Sequence, residues 1–321
     1  MEQATQTRKK HHNATPKGED DVVVKLNGHP VNLTNRNKIY WPEEEITKGE
    51  LVDYYLSISD ILLPHLKNRP LSLHRFPNGI NGISFYQKDL DVKNIPAWLK
   101  TIPIHAASTG KNVDYLICNN EATLAYMANL GCIEINPWLS RNPNLDHPDH
   151  VVLDLDPEDI SFKHVIETAL CIKEILDELE LESYIKTSGS SGLHIYIPVA
   201  GKYDYETCRT FAEYVAKQAN GLLPKTTSVV RAKVQRKNKV YIDYLQNSFG
   251  QTVAAPYSVR PRPGVTVSAP LLWKEVNEKL KLEDYHINNM AKRLEKMGDL
   301  WKDIHKQKND LKRVMKFIAG N

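Results

Sequence analysis

The sequence predicts an α+β fold in which helices pack against a mixed β-sheet. From residue 150 onward, short β-rich runs and amphipathic helices follow in the order strand, helix, strand, strand, helix, strand, strand. Hairpins and crossovers occur together in this order, which is typical of α+β proteins rather than of a doubly wound parallel sheet. The 321 residues suffice for one large domain whose core needs no disulfide or structural metal.

The composition is that of an ordinary globular protein, with 41% hydrophobic and 25% charged residues. The apolar runs are too short to span a bilayer, so we expect no membrane partner. Residues 1–21 are polar and charged, and we predict a disordered tail there rather than a secretory signal. The four cysteines lack CxxC spacing, which favours free thiols in a reducing cytoplasm. A formal net charge of +3 is too small to establish a nucleic-acid partner by itself.

The N-terminal subregion, about 22–149, is predicted to combine a hairpin, helices and short strands. Two β-rich runs flank the Asn27-Gly28 dipeptide, which favours a hairpin turn. Thr47 and Glu50 have capping-box spacing and open an amphipathic helix that reaches about residue 66. The other predicted elements are strands near 71–74 and 83–87, a helix near 121–129 and a strand at 132–138.

The second subregion, about 150–270, carries most of the predicted sheet. Its strands are predicted at 151–156, 183–187, 193–199, 227–234 and 239–245, and its helices at 161–180 and 205–220. Lys-rich helical segments, about 271–318, follow a Pro-rich stretch. No Gly/Ser-rich linker separates these parts, so residues 22–321 are predicted to form a single domain.

The sharpest chemical signal is the pair Asp154 and Asp156 in the run VVLDLDP. Residues two apart on a strand point to the same side, so the two carboxylates lie side by side. Such carboxylates repel each other unless a cation lies between them, and their oxygens suit Mg²⁺ or Mn²⁺. The alternative is that two solvated acids end a buried strand.

Asp243 is a further carboxylate, which stands between large apolar residues in the run VYIDYLQ. A carboxylate in such a strand needs a partner, and three carboxylates from two strands could hold two metal ions. The alternative is an ordinary salt bridge from Asp243 to Arg231 or Arg236.

A polar segment, KTSGSSGLH, joins two predicted strands between these acids. Gly189 and Gly192 would allow backbone N–H groups to approach an anion, and Ser188 and His194 would add donors to a phosphate. The segment is not a P-loop, because GxxxxGK[ST] is missing and a strand follows it. A polar hairpin loop without a ligand would have the same appearance.

These motifs, in this order, resemble the polymerase domain of bacterial ATP-dependent DNA ligase D, a branch of the archaeo-eukaryotic primase superfamily. The resemblance rests on VVLDLDP, KTSGSSGLHIYIPV, VYIDYLQN and APYSVRPRPGVTVSAPLLWKEV. The stretch from NKIYWPEEEITKGELVDYYL to GISFYQK is similar as well, so the likeness covers about residues 28–300.

The resemblance implies a primase-polymerase core with an RRM-like mixed sheet flanked by helices. It implies metal-dependent addition of nucleotides, often ribonucleotides, to DNA 3′ ends during non-homologous end joining. The expected partners are DNA with gaps or double-strand-break ends, NTP or dNTP, Ku and an ATP-dependent DNA ligase.

The resemblance also assigns residues. Asp154, Asp156 and Asp243 would be the catalytic ligands of Mn²⁺ or Mg²⁺, with Asp243 nearest the attacking 3′-hydroxyl. Tyr86 would stack against template DNA. Lys38 and Lys48 would grip a 5′-phosphate, and Lys48 is also placed at a helix start, which favours an anion. The incoming nucleotide would be bound by Ser188, Gly189, Ser191, His194, Arg236, Gln246 and Arg260.

Three positions of the nucleotide site depart from the family. Asn136 stands where the family often has His, Ser191 where it often has Lys or Arg, and His74 at a basic position before Arg75. All three changes remove positive charge, because imidazole is largely neutral at pH 7. We therefore expect weaker nucleotide affinity, since an ion pair to phosphate is stronger than a neutral hydrogen bond.

Two other functions fit part of the sequence. A non-catalytic module that binds DNA ends would use Lys38 and Lys48 but would have no need of the three acids. A primase would share the metal site, although an unbroken template offers no 5′-phosphate for the two lysines. A D-x-D glycosyltransferase explains neither Asp243 nor the SGSSGLH loop.

Overall fold

The computed structural model describes residues 14–16, 21–106 and 109–320. The N-terminal part contains the strands β1 Ala14–Pro16, β2 Val22–Leu26, β3 His29–Leu33, β4 Ile39–Trp41, β5 Ile46–Thr47, β6 Pro70–Arg75, β7 Phe85–Gln87, β8 Lys100–Ala106, β9 Lys111–Ile117, β10 Cys132–Pro137, β11 Ser140–Arg141 and β12 Asn144–Pro148. Its helices are α1 Lys48–Ser57, α2 Ser59–Leu66 and α3 Glu121–Asn129.

The remaining elements belong to the second subregion and the C-terminal segments. The strands are β13 His150–Glu158, β14 Tyr184–Thr187, β15 Leu193–Pro198, β16 Thr227–Ser228, β17 Lys239–Asp243 and β18 Pro270–Leu271. The helices are α4 Phe162–Glu178, α5 Tyr205–Leu222, α6 Ile287–Met297 and α7 Lys312–Gly320. Short 3₁₀ turns cover Lys233–Arg236, Pro263–Val265, Trp273–Glu275 and Leu282–Asp284.

The two largest sheets of the described chain lie beside a three-stranded sheet, β1-β2-β3, and two small two-stranded sheets, β4-β5 and β11-β12. The first sheet has the order β10-β6-β9-β8, with β7 added on β6. The second has the order β16-β17-β13-β15-β14-β18, and every pair in it is antiparallel except β16 with β17. Helices α4 and α5 cover one face of the second sheet, where the apolar side chains of β13 enter the main core.

The alternation of side chains along β13 places its apolar residues on one face of the sheet and its aspartates on the other. Val151, Leu153 and Leu155 are fully buried beneath the helices. Asp154 and Asp156, on the alternate positions, therefore point away from α4 and α5. The predicted mixed sheet flanked by helices is confirmed.

Three predicted elements differ in the structure. The run at 227–234 forms only the two-residue strand β16 and then leaves the sheet, and Val234 is 92% exposed. The predicted helix up to residue 66 breaks at Ile58, although the capping box of Thr47 and Glu50 is present as expected. The segment predicted as helical from residue 271 begins with 3₁₀ turns, and its first α-helix starts at Ile287.

Most of the predicted tail, 1–21, lies outside the described residues. Ala14–Pro16 is described, and it pairs with β2 as a strand that the sequence did not predict. The hairpin about Asn27-Gly28 is confirmed, with both residues at positive φ as such a turn requires.

A late segment covers the free edge of the first sheet. Ala255 donates its N–H to Ile135 O at 2.9 Å, and Ile135 donates its N–H to Ser258 Oγ at 3.0 Å. The edge of β10 is thus paired with a segment that lies between β17 and β18 of the second sheet in the chain. This contact joins the two sheets.

Within the described ranges, no helix combines the length and the apolar character that crossing a membrane requires.

Candidate active site

Four charged or titratable side chains form a row across the second sheet. The strand registers place Lys186 opposite His194, His194 opposite Asp154, and Asp154 opposite Asp243. Residues directly opposite on antiparallel strands share one face, about 4.5–5.5 Å apart at Cβ. The sheet therefore brings a base, an imidazole and two carboxylates into one line, and Asp156 lies two residues further along β13.

The three carboxyl groups are held in an unfavourable setting. Burial raises the pKa of Asp154 to about 6. Burial, together with the charges of Asp154 and Asp243, raises the pKa of Asp156 to about 7. Burial and the charge of Asp154 also raise the pKa of Asp243. A cation placed among these groups would offset both the burial and the repulsion.

Asp243 is held by hydrogen bonds rather than by a salt bridge. Its Oδ1 accepts the Leu245 N–H at 2.8 Å and the Tyr241 hydroxyl at 3.3 Å, and its Oδ2 accepts Gln246 Nε2 at 3.2 Å. Arg236 lies over the Tyr241 ring at 4.0 Å and its Nε is 3.7 Å from Glu158. The alternative of an Asp243 salt bridge to Arg236 or Arg231 is therefore not what the described part of the chain shows.

The donor set fits a hard divalent cation. No three His, Cys, Asp or Glu side chains in the described part of the protein form a ready-made metal cage. However, Asp154 Oδ1 is buried and lacks a well-formed hydrogen bond. Mg²⁺ usually binds one or two carboxylates and takes its other ligands from water and substrate phosphate oxygens. Asp154 and Asp156 match that pattern, with Asp243 beside them.

Lys186 is a member of the site that we did not predict. It is fully buried, and its Nζ lies 2.8 Å from His194 Nδ1 and also donates to Ser268 Oγ. Burial and the charge of Lys186 hold the pKa of His194 well below its usual value, so the ring is neutral. Its Nε2 is 3.2 Å from Asp154 Oδ1. Lys186 as donor to Nδ1 thus leaves the ring proton on Nε2.

The loop at 188–192 is closed by its own first side chain. Ser188 Oγ accepts the N–H groups of Ser190 and Gly192, both at 3.0 Å. A Cβ on Gly192 would stand 2.0 Å from Leu155 O, so no other residue fits there. Ser191 is exposed at the tip. Ser188 therefore shapes the loop, and its hydroxyl proton stays available to a ligand.

A cavity of about 530 Å³ lies between the polar faces of the two sheets. The second sheet contributes Asp154, Asp156 and His194 to its wall. The first sheet contributes Ser72, Glu134 and Asn136, because alternation on β6 and β10 turns Leu71, Leu73 and Ile135 to the core. The other lining residues are Tyr86, Lys88, Ser188, Ser190, Ser191, Gln246, Thr252, Val253, Ala254, Arg260 and Arg262.

Glu134 organises the wall opposite the aspartates. It is 4% exposed, and its Oε2 lies 3.4 Å from His74 Nδ1 and 3.3 Å from Arg260 Nε. Burial alone would raise its pKa, but the bond to His74 and the charge of Arg260 bring the pKa of Glu134 below its usual value. Arg260 also donates to Ser188 O at 3.0 Å, which ties this wall to the loop.

His74 does not line the cavity, but it supports Tyr86, which does. Its ring stacks on Tyr86 with centroids 4.0 Å apart and planes 14° apart. Tyr86 is 57% exposed, so its outer face is open to a flat ligand.

Lys38 and Lys48 lie together, and neither of them lines this cavity. Lys48 donates its backbone N–H to Lys38 O at 2.8 Å, and its Nζ donates to Thr34 O at 2.6 Å. Lys38 Nζ donates to Pro77 O at 2.9 Å. Burial and the neighbouring Lys38 charge lower the pKa of Lys48 to about 8.

The structure thus gathers most, not all, of the predicted nucleotide site. Ser188, Ser191, His194, Gln246, Arg260 and Asn136 line the cavity, whereas Gly189 supports the loop from behind. Arg236 does not line it. Sequence reasoning missed Lys186, Glu134 and Lys88. Lys186 and Glu134 each interrupt an apolar strand pattern, which is the signal that would have found them.

The family model of the LigD primase-polymerase domain matches residues 47–301 of the chain. The chain is 34% identical over 274 residues to the multifunctional non-homologous end joining protein LigD of Mycolicibacterium smegmatis, covering 84% of this chain and 35% of that protein. It is 31% identical over 286 residues to the bifunctional non-homologous end joining protein LigD of Bacillus subtilis, covering 88% and 45%. The chain therefore spans less than half the length of these relatives.

A solved structure has the same fold. The polymerase domain from Mycobacterium tuberculosis ligase D in complex with DNA superimposes with a TM-score of 0.81 at 29% identity, over 87% of this chain and 99% of that one. The expected primase-polymerase architecture is confirmed by this match. On the pattern match over most of its length, the chain belongs to the LigD primase-polymerase family.

Proposed function

We propose that the protein is a metal-dependent nucleotidyltransferase that adds nucleotides, ribonucleotides among them, to DNA 3′ ends during non-homologous end joining. The observation that carries the proposal is the position of Asp154 and Asp156. They lie in the wall of a cavity of about 530 Å³ whose other walls present His194 and Arg260. Paired carboxylates beside phosphate donors are what phosphoryl transfer needs.

In this proposal Asp154, Asp156 and Asp243 hold Mg²⁺ or Mn²⁺. The bound cations would lower the pKa of the 3′-hydroxyl and neutralise the charge that develops on the phosphates. His194 Nε2–H and the Ser188 hydroxyl donate to the triphosphate, and Arg260 supplies a positive charge beside them. Asn136 Nδ2, buried and without a well-formed hydrogen bond in the described chain, is a further donor for it.

Contacts to the DNA come from other parts of the surface. Lys38 and Lys48 would hold a 5′-phosphate, because their clustered charges repel each other until an anion is bound. Tyr86, held flat by His74, would stack on a template base. In such a repair reaction in the bacterial cytoplasm, Ku and an ATP-dependent DNA ligase are the expected partners, since the relatives are end-joining proteins.

A second candidate is a DNA-end-binding module without catalysis. The neutral Asn136 and Ser191 favour it, since both stand where a cation would strengthen triphosphate binding.

Primer extension on a DNA gap that carries a 5′-phosphate separates the two candidates. Wild type, the double variant D154N/D156N and the surface variant D60N are compared with rNTPs or dNTPs and with Mn²⁺ or Mg²⁺. Asp60 is an exposed aspartate on α2 and serves as the matched control. Extension by wild type and D60N but not by the double variant supports the transferase. Binding of the gap without any extension by wild type would leave the binding module.

A further inference from the structure

We propose that a second cavity, next to Asp243, is the subsite for the last phosphodiester of the DNA primer strand, held by Arg209 and Arg231. This inference rests on the proposed nucleotidyltransferase function and adds to it the binding site of the strand that is extended. The ligand class is a DNA 3′ end, recognised by its charge and not by its base.

The second cavity measures about 270 Å³. It is distinct from the cavity of about 530 Å³ that holds Asp154 and Asp156, which we call the nucleotide cavity. Arg209, Arg231, Asp243 and Gln246 line it, together with the segment just after β17. Gln246 also lines the nucleotide cavity, and its Nε2 donates to Asp243 Oδ2 at 3.2 Å. The two cavities therefore meet at Gln246. Asp243 lines the second cavity, whereas Asp154 and Asp156 line the nucleotide cavity.

The geometry of phosphoryl transfer says which substrate lies on which side. The 3′-oxygen bonds to the α-phosphorus while the bond to the bridging oxygen breaks, so that pyrophosphate leaves with that electron pair and the hydroxyl proton passes to water. Attacking and leaving oxygens lie roughly in line. The triphosphate loop at 188–192 follows β14, so pyrophosphate leaves toward that side of Asp154. The 3′-oxygen must then approach from the β17 side, where Asp243 and the second cavity lie.

The charges of the second cavity suit a DNA backbone. Arg209 extends from α5 and Arg231 from the segment after β16, and both are exposed. In the described part of the chain neither guanidinium forms a hydrogen bond or an ion pair, although the charge of Arg209 acts on Tyr244. Two unneutralised guanidinium groups beside a carboxylate would draw a phosphodiester in and leave the terminal hydroxyl next to Asp243.

The test is DNA binding in EDTA, measured by fluorescence anisotropy on a recessed primer end. The last phosphodiester of the primer is either natural or an uncharged methylphosphonate, and a methylphosphonate placed well upstream controls for general charge loss. We expect wild type to lose roughly tenfold in affinity with the terminal methylphosphonate. The double variant R209Q/R231Q should lose a similar factor on natural DNA and show no further loss with the modified primer.

The matched control is R313Q, an exposed arginine of α7 whose side chain is 84% accessible. It should behave as wild type. The subsite is overturned if wild type binds the natural and the terminally modified primer equally, or if R209Q/R231Q still discriminates between them. Because this readout needs no turnover, it decides the subsite even if wild type fails to extend a primer, an outcome that refutes the nucleotidyltransferase instead.

Discussion

Replacing Asp156 by Asn should stabilise the metal-free protein at alkaline pH. Asp156 is held near Asp154 and Asp243, and the three carboxylates raise the free energy of the folded state when all are charged. Asparagine keeps the shape of the side chain and removes one charge. The expected gain is a direct measure of how strongly the fold is strained by its own candidate metal ligands.

The magnitude follows from the pKa of Asp156, which rises from 3.8 to about 7 on folding. About three pKa units correspond to about 4 kcal/mol, and screening by solvent at this partly open position reduces the gain to about 2 kcal/mol. Since the folded carboxyl keeps a proton that the unfolded chain releases, wild-type stability falls as pH rises from about 3.8 to about 7. The advantage of D156N is thus partial at pH 5 and complete at pH 8.

Urea unfolding in EDTA at pH 5 and pH 8, followed by circular dichroism, checks this expectation, with D60N as the control for loss of a surface carboxylate. Adding Mn²⁺ should raise the unfolding midpoint of wild type more than that of D156N, because a ligand of the folded state stabilises it by mass action. An equal gain at both pH values, or a loss of stability in D156N at pH 8, would refute the reasoning.

Three further changes test other parts of the structure. K48A should weaken binding to 5′-phosphorylated DNA ends in an anisotropy assay and leave binding to unphosphorylated ends unchanged. The wild-type preference for phosphorylated ends should decrease above about pH 8, where Lys48 loses its charge. Equal loss of affinity for both kinds of end would contradict this role of Lys48. G192A should destabilise the fold by about 3 kcal/mol or more in urea unfolding, because its Cβ would meet Leu155 O at 2.0 Å. K186M should lower kcat in primer extension by about 10- to 100-fold and release the fixed tautomer of His194, visible in its ¹⁵N shifts, whereas an unchanged tautomer would show that Lys186 does not set it.

The side-by-side placement of Asp154 and Asp156 could be predicted from the sequence because a strand has a fixed period of two. Asp154 and Asp156 had to share a face once VVLDLD was recognised as a strand, and the structure places Asp243 directly opposite Asp154. Which residues face each other on neighbouring strands could not be predicted in the same way. No pattern in the chain states that Lys186 lies beside His194, since strand register depends on tertiary packing.

The run at 227–234 shows the limit of local propensity. Its valines and threonine favour a strand, yet only Thr227–Ser228 finds a partner in β17. The remainder leaves the sheet edge, and Val230 and Val234 are exposed there. A β-rich composition predicts a tendency to pair, but the presence of a neighbour decides whether a strand forms.

The contact between Ile135 and Ser258 has a consequence for synthesis on the ribosome. The edge of β10 is closed by a hydroxyl that lies 123 residues further along the chain. At a synthesis rate of roughly 5–20 residues per second, the edge of β10 stays unpaired for roughly 6–25 s before Ser258 is made. An uncovered edge strand is a template for pairing with another chain. Nascent or truncated chains that end before Ser258 are therefore expected to be the aggregation-prone form, and a chaperone would be needed most during that interval.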